Sequence, residues 1–299
     1  MPVEVTSSRF SRFGIFRNLG RRLRIRANRF VFRNRTNSPY LSGDSFAELV
    51  DYIAFGKSGV KSISPELLNT AKSIFVRGDH LDYLLSNYGD LIHARVIISG
   101  NSDRNFIHKV ILPDSVKLFL CQNATGNIDE RTRTLPIGLE NLRLGRTGQP
   151  KYHFYLRTRN FESKVLIPPM SPTNIVRRRV ITEAQSLPEI FHVSSEFLME
   201  VDYFKLVRKY RFVLCCEGNG FDTHRLWETL YQGSFPVLLR TEWSRTLEYL
   251  ALPILFVDNL LEINNHLLNS FLSQHNNFNP QEMEVLWMPY WKNYINSFL

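Results

Sequence analysis

The sequence predicts an α/β protein made of two parallel-sheet halves behind a basic arm. Three observations carry this. Short apolar runs alternate with segments of helical spacing along the body, and continuous apolar runs suit strands buried on both faces. The runs end in polar loops, and in open parallel sheets ligands bind beyond the carboxyl ends of the strands. A chain of 299 residues with 43 % hydrophobic residues accommodates two compact units of roughly 100–200 residues each.

The elements follow in order. "SPYLSGDSF" (38–46) starts the body, with Asp44 or Ser45 capping a helix over "FAELVDYIAFG". "SIFVRGD" (73–79) reads as a strand and "HLDYLLSNYG" as a helix. "HARVIISGNSD" (93–103), "SVKLFLCQNA" (115–124) and "TRTLPIGLEN" (132–141) are further strands. "LRLGRTGQPK" (142–151), with two Gly, a Pro and three basic residues, reads as a linker. Past it come strand "KVLIPP" (164–169) and a helix over 171–185, with Ser171 as N-cap and Pro172 at its first position. Strand "EIFHVS", helix "FLMEVDYFKLVRKY" and strand "RFVLCC" follow, then strands "FPVLL" and "PILFV". Helices rich in Leu, Asn and aromatics run from about 258. The expected division is an arm over 1–37, a first half over 38–150 and a second over 151–299.

The net charge of +9 is unevenly placed. Residues 1–35 hold ten Arg and one acid, Glu4, which accounts for all of it. The body is neutral, which argues against a nucleic-acid-binding domain, whose basic face belongs to the fold. The arm interleaves Arg with Phe, Leu and Ile. It reads as a segment for an anionic membrane surface, an organelle transit peptide, a nucleic-acid contact, or a basic tail that aids solubility. Three cysteines, Cys121, Cys215 and Cys216, have no metal-type spacing and fit a reducing compartment. No apolar run approaches the 18 or so residues of a membrane helix, and the Arg-strewn start is not a secretory signal. The expected location is cytoplasmic, peripheral to a membrane if the arm binds one.

The most informative stretch is "RFVLCCEGNGFDTHRLWETLYQGSFPVLL" (211–239). A buried strand runs into Glu217-Gly218-Asn219-Gly220, where glycine lets the backbone turn sharply and approach a ligand. Helix spacing follows, with Asp222 or Thr223 as cap. The free N–H groups of a helix start suit a phosphate. Arg225 in the first turn can hold phosphate bidentately. Glu228, three residues on, shares its face and can accept two ribose hydroxyls. His224 can touch phosphate or face solvent. Together these describe a nucleotide-diphosphate pocket. Neither G-x-x-x-x-G-K-[ST] nor G-x-G-x-x-G occurs, which disfavours P-loop and dinucleotide-cofactor enzymes.

This stretch resembles the donor-binding segment of exostosin-like glycosyltransferases: strand, polar Gly turn, Arg225, Glu228, Leu230, Gly233, then Pro236-Val237. Thr229 stands where that family more often has Ala. The donor site of α1,3-fucosyltransferases is more loosely similar, with Glu217 and Asn219 at its Glu-Asn turn. "VIISGNSDRNF" and "LFLCQNATGN" with "RTLPIGLENL" extend the likeness into the first half. The resemblance implies a GT-B-like fold, two Rossmann-like domains facing across a cleft, with donor in the second and acceptor in the first. It implies transfer of a sugar from a nucleotide-diphosphate donor to a hydroxyl of a glycan or lipid-linked glycan. No two Asp are spaced as Asp-x-Asp, so neither a metal nor another cofactor is expected, and Arg225 with the helix start must meet the leaving diphosphate.

Other residues carry weaker signals. Arg177, in the run Arg177-Arg178-Arg179, can reach the diphosphate across the cleft; a charge run is otherwise a solvated face. Asp103 is the leading general base, against Asp79 and His80 and against simple loop capping. Glu140 and Asn141 are equally a cleft pair and a strand-to-loop turn. Two rival functions are a non-catalytic GT-B-like module that binds a glycan or a partner, and a transferase acting on nucleic acid or protein.

Overall fold

The computed structural model describes residues 35–54, 63–126, 128–153, 160–171, 173–196 and 198–299. The arm before Arg35 and the Pro172 reading lie outside them.

Two five-stranded parallel sheets form the frame. The first half begins with α1 (Gly43–Ala47), β1 (Tyr52–Ile53), α2 (Pro65–Thr70), β2 (Ser73–Arg77) and α3 (Leu81–Tyr88). It continues with β3 (Val96–Gly100), β4 (Leu118–Cys121) and β5 (Thr132–Thr134). These strands lie side by side in chain order. The second half has β6 (Glu162–Ile167), α4 (Ile175–Gln185), β7 (Phe191–Val193), α5 (Glu200–Val207) and β8 (Tyr210–Leu214). Then come α6 (His224–Tyr231), β9 (Phe235–Leu239), α7 (Glu242–Arg245), β10 (Leu255–Val257), α8 (Asn265–Gln274) and α9 (Met288–Asn296). Its order is β10-β9-β8-β6-β7, so the direction of winding reverses between β6 and β8.

Side chains alternate across each strand, and the cores divide accordingly. In the first sheet Ile74, Val76, Ile97 and Phe119 pack with Leu68 of α2 and with Leu81 and Leu84 of α3. The opposite face, with Phe75, Val96, Ile98, Leu118 and Leu120, is covered by Leu41, Phe46 and the C-terminal Trp291 and Ile295. Right-handed crossovers in a sheet wound one way bring its helices to one face. The other face is roofed by the start and end of the chain. Trp291 is fully buried, meets Phe46 edge-on at 5.4 Å and donates from Nε1 to the Val285 carbonyl. The second sheet has α4 and α8 on one face, and α5 and α6 on the other, where Leu226, Trp227, Leu230 and Tyr231 join the same core as Leu41 and Phe46. One continuous core therefore links the halves.

The structure corrects several expected elements. The helix over 46–56 is only α1, capped by Ser42 rather than Asp44 or Ser45, because Tyr52–Ile53 pairs with β2 as a strand. The helix start near Ser171 is capped instead by Asn174, whose Oδ1 accepts from Arg177 N at 2.9 Å. The helix over 197–210 stops at Val207, and Tyr210 opens β8. The segment 142–151 is no loose linker. Asn37, with 0 % exposure, donates to the carbonyls of Glu140 and Gly148 and accepts from Leu142 N. Asn37 also belongs to the folded body rather than to the arm.

Candidate functional site

The winding reverses between β6 and β8, so the loops at the carboxyl ends of those strands part to opposite faces, the place where open α/β sheets take ligands. The loop 168–174 leaves β6 toward α4, and the loop 215–223 leaves β8 toward α6, on the other face. The stretch singled out by its sequence is the second of these loops.

Both loops are held together by the arginines expected to bind an anion. Arg177 donates from Nε to the Glu217 carbonyl at 2.7 Å, from Nη1 to Ser171 and from Nη2 to Cys216. Asn174 Nδ2 donates to the Gly218 carbonyl at 2.7 Å. Arg225 Nη2 donates to the Pro169 carbonyl at 2.8 Å, while its Nε is buried without a partner. Burial and then the charge of Arg225 pull the Arg177 pKa down. Burial works against the charge of Arg225, but Tyr203, Cys215 and Glu228 hold its pKa above the ordinary value. Among the described residues neither guanidinium has a carboxylate within the 4.0 Å of an ion pair. The shared helix face of Arg225 and Glu228 is thus not a direct ion pair. Tyr203 lies beside Arg225, whose pKa it helps raise, and donates to Glu228 Oε2 at 3.1 Å. Glu228 is buried, at 4 % exposure.

The two glycines have a packing cause. A Cβ on Gly218 would stand 2.9 Å from Arg177 Nη2, and one on Gly220 would stand 2.6 Å from Asn123 Nδ2. Neither residue takes a left-handed φ; close approach, not turn geometry, excludes a side chain. Glu217 has a carboxyl pKa raised by burial and eased by a hydrogen bond from Thr241.

Opposite this loop stand the polar ends of the first sheet. Asn219 Nδ2 donates to Asp103 Oδ2 at 3.3 Å, and Phe221 N to Asn105 Oδ1 at 3.1 Å. Asp222 N donates to Asn123 Oδ1 at 2.7 Å. Asn101 and Asn123 follow β3 and β4 with φ of 55° and 58°, a left-handed conformation that Asn tolerates better than most residues. Asp103 is exposed at the mouth.

Asp222 is not free for a ligand, which corrects its donor-binding role. Its carboxylate accepts from Ile137 N at 2.8 Å and from Trp227 Nε1 at 2.9 and 3.0 Å. It clasps the first half to α6, and burial raises its pKa to about 7. Thr223 occupies the N-cap position of α6, yet its side chain makes no cap bond. Gly233, with φ 71°, follows the helix end as expected.

His224 opens α6, and its Nδ1 lies 2.8 Å from the Gly138 carbonyl. A carbonyl only accepts, so Nδ1 carries a proton. Glu140 lies close enough to feel both His224 and Glu228; burial raises its pKa against the pull of Arg146 and His224. Asn141 is spent on structure: Oδ1 accepts from Asp44 N and Nδ2 donates to Asn101, both at 2.7 Å.

The structure therefore brings Arg177, Glu217, Gly218, Arg225 and Glu228 together at the switch point, and puts Asn219, Gly220, Asp222 and His224 against the first half. Tyr203, Asn174 and Asn123 were missed by sequence reasoning. Asn174 had a signal, as the last polar residue before a helical run, but Tyr203 and Asn123 are distant in sequence from what they touch. Among the described residues no three His, Cys, Asp or Glu side chains are placed to hold a metal ion, and no helix is long and apolar enough to cross a membrane. In comparison with known proteins, the chain matches no protein-family model and no curated protein sequence.

Proposed function

We propose that the chain is a glycosyltransferase that moves a sugar from a nucleotide-diphosphate donor to a hydroxyl of a glycan or lipid-linked glycan. The observation that carries this reading is the pair Arg177 and Arg225 at the switch point, two guanidiniums near enough to repel and with no carboxylate in ion-pair contact. Such a pair calls for an anion with several oxygens. A diphosphate fits that demand, and its charge grows as it leaves, so preformed positive charge favours the transition state over the ground state.

In this reading Glu228 receives the ribose hydroxyls, in exchange for or beside Tyr203. The polar loops of the first half present the acceptor. An inverting transfer needs a base to take the hydroxyl proton, and a retaining one needs no such base. Asp103 lies at the mouth, where it accepts from Asn219. His224 is a second group for this step in its neutral form, whose proton on Nδ1 leaves Nε2 able to accept one.

The test is nucleotide-dependent thermal stability with UDP, GDP, CMP, TDP and ADP. A ligand present at about a hundred times its dissociation constant stabilises by roughly 2.7 kcal/mol, a rise of a few degrees. One diphosphate should raise the melting temperature of the wild type. That rise should vanish in Arg225→Ala and Arg177→Ala, each judged against its own nucleotide-free melting. No rise with any of the five would defeat the reading. A rise with no hydrolysis or transfer of the matching nucleotide sugars would leave a binding module instead.

A further inference from the structure

A groove of about 540 Å³ lies between α3 and the loop that follows β3. Leu85 of α3 and Phe106, Ile107, Val110 and Ile111 of the loop give it an apolar lining. Arg104, His108 and Lys109 add basic side chains, and Asp82 is the one acid of the lining. Asp82 is taken by Arg104 in an ion pair at 2.5 Å. Lys109 is exposed and, among the described residues, has no carboxylate in ion-pair contact.

The groove adjoins the place where the two halves meet. Asn105 lines it and accepts from Phe221 N of the second half at 3.1 Å. Two residues earlier, Asp103 accepts from Asn219 of the glycine turn. The chemistry of the lining narrows what can lie there. Phe106 belongs to the buried core beneath, but Ile107 is 53 % exposed and Ile111 is 91 % exposed. Two branched aliphatic side chains standing in water beside a groove gain by burial against an apolar ligand. Carbohydrate suits this lining poorly. Sugar rings are held by hydrogen bonds to their hydroxyls and by open aromatic faces, and the one phenyl ring here has the Arg104 guanidinium 4.8 Å from its centroid. Exposed isoleucines beside an ammonium without a counter-charge suit a hydrocarbon chain that ends in an anion.

We infer that this groove takes the carrier of a lipid-linked acceptor, a hydrocarbon chain ending in phosphate. The chain lies along Ile107, Val110 and Ile111, the phosphate meets Lys109, and the sugar it carries reaches toward Asp103. That the ligand is an acceptor rests on the proposed function; that it is a lipid phosphate rests on the groove alone.

The test is calorimetric binding to the full chain with farnesyl phosphate, farnesol, inorganic phosphate and maltotriose, the lipids kept below the concentrations at which they form micelles. Farnesyl phosphate should bind about tenfold or more tightly than farnesol or inorganic phosphate, and maltotriose should not bind. Ile107→Ser combined with Ile111→Ser changes two exposed side chains and is expected to fold; it should weaken farnesyl phosphate about tenfold or more. Lys109→Ala should weaken farnesyl phosphate several-fold and leave any farnesol binding unchanged. Leu261→Ser, at an exposed apolar residue of the second half, should change nothing. Absence of farnesyl phosphate binding overturns the inference. So does binding that the groove variants leave intact, which would assign it to the basic arm. Maltotriose binding that the isoleucine variant loses overturns it in favour of a free glycan. A nucleotide-dependent rise in melting temperature without groove binding would sink this inference alone. Groove binding without such a rise would defeat the transferase reading and keep the lipid-phosphate site.

Discussion

The two halves hold sheets of equal strand number and use them differently. The first sheet is wound one way, β1 to β5 in chain order, while the second reverses between β6 and β8. One-way winding covers one face with crossover helices and leaves the other to distant chain, here Phe46 and the C-terminal Trp291 and Ile295. Reversal puts α4 and α6 on opposite faces and parts their leading loops. The half that reverses carries Arg177 and Arg225 at its switch point. The half that does not supplies the wall opposite, through Asn105, Asn123, Ile137 and Gly138. Strand order thus sets where the loops part, and residue type decides what stands there.

The strongest way to break this comparison is at the roof of the first sheet. Trp291→Ala removes a fully buried ring and should cost about 3–5 kcal/mol, read from denaturant midpoints. A loss under 1 kcal/mol would mean that the C-terminal helix does not hold the first half.

The clasp between the halves is pH-sensitive. Asp222 is raised by burial from 3.8 to about 7, so the folded state binds its proton more tightly than the unfolded state. Its protonated form favours folding, and that advantage is lost as pH rises from about 4 to 7. His153 acts in the opposite sense: burial lowers it from 6.5 to about 4, so it costs stability as pH falls through that range. Asp222→Asn isolates the first effect. The stability of wild type minus variant should fall by about 2–4 kcal/mol between pH 4 and pH 8, with His153 common to both. A difference that does not move with pH would show that Asp222 is ionised throughout.

A smaller effect sharpens the account of the glycine turn. Gly220→Ala puts a methyl into Asn123 and should cost about 1–3 kcal/mol. It should also lower the nucleotide affinity that the proposed function calls for, since the turn then shifts from the first half. Unchanged midpoints would mean that the turn is free of Asn123.

Much of the second half was legible in sequence. The apolar runs mark β6, β8, β9 and β10, and the register of Leu226, Trp227, Leu230 and Tyr231 marks the buried face of α6. Helix and strand periods are local properties, so they survive in the sequence. The short ends were not legible. Tyr52–Ile53 has helical spacing with its neighbours, yet pairing with β2 overrides it. The candidate site was half legible. Arg225, Glu228 and the glycines stand within one loop and helix, whereas the tyrosine that donates to Glu228 arrives from α5.

The sequence by itself determined the α/β class, the strands of the two sheets apart from β1, the neutral body with its basic arm, and the loop with Arg225 and Glu228. All of these depend on composition or on the period of a single element. Only the tertiary structure decided that the winding reverses between β6 and β8, that Arg177 joins Arg225, that Asp222 is a clasp rather than a ligand contact, and that the chain's last helix roofs its first sheet. Those outcomes rest on burying apolar faces and partnering buried polar groups between residues far apart in the chain. That selection acts on the whole folded chain, and no local pattern records it.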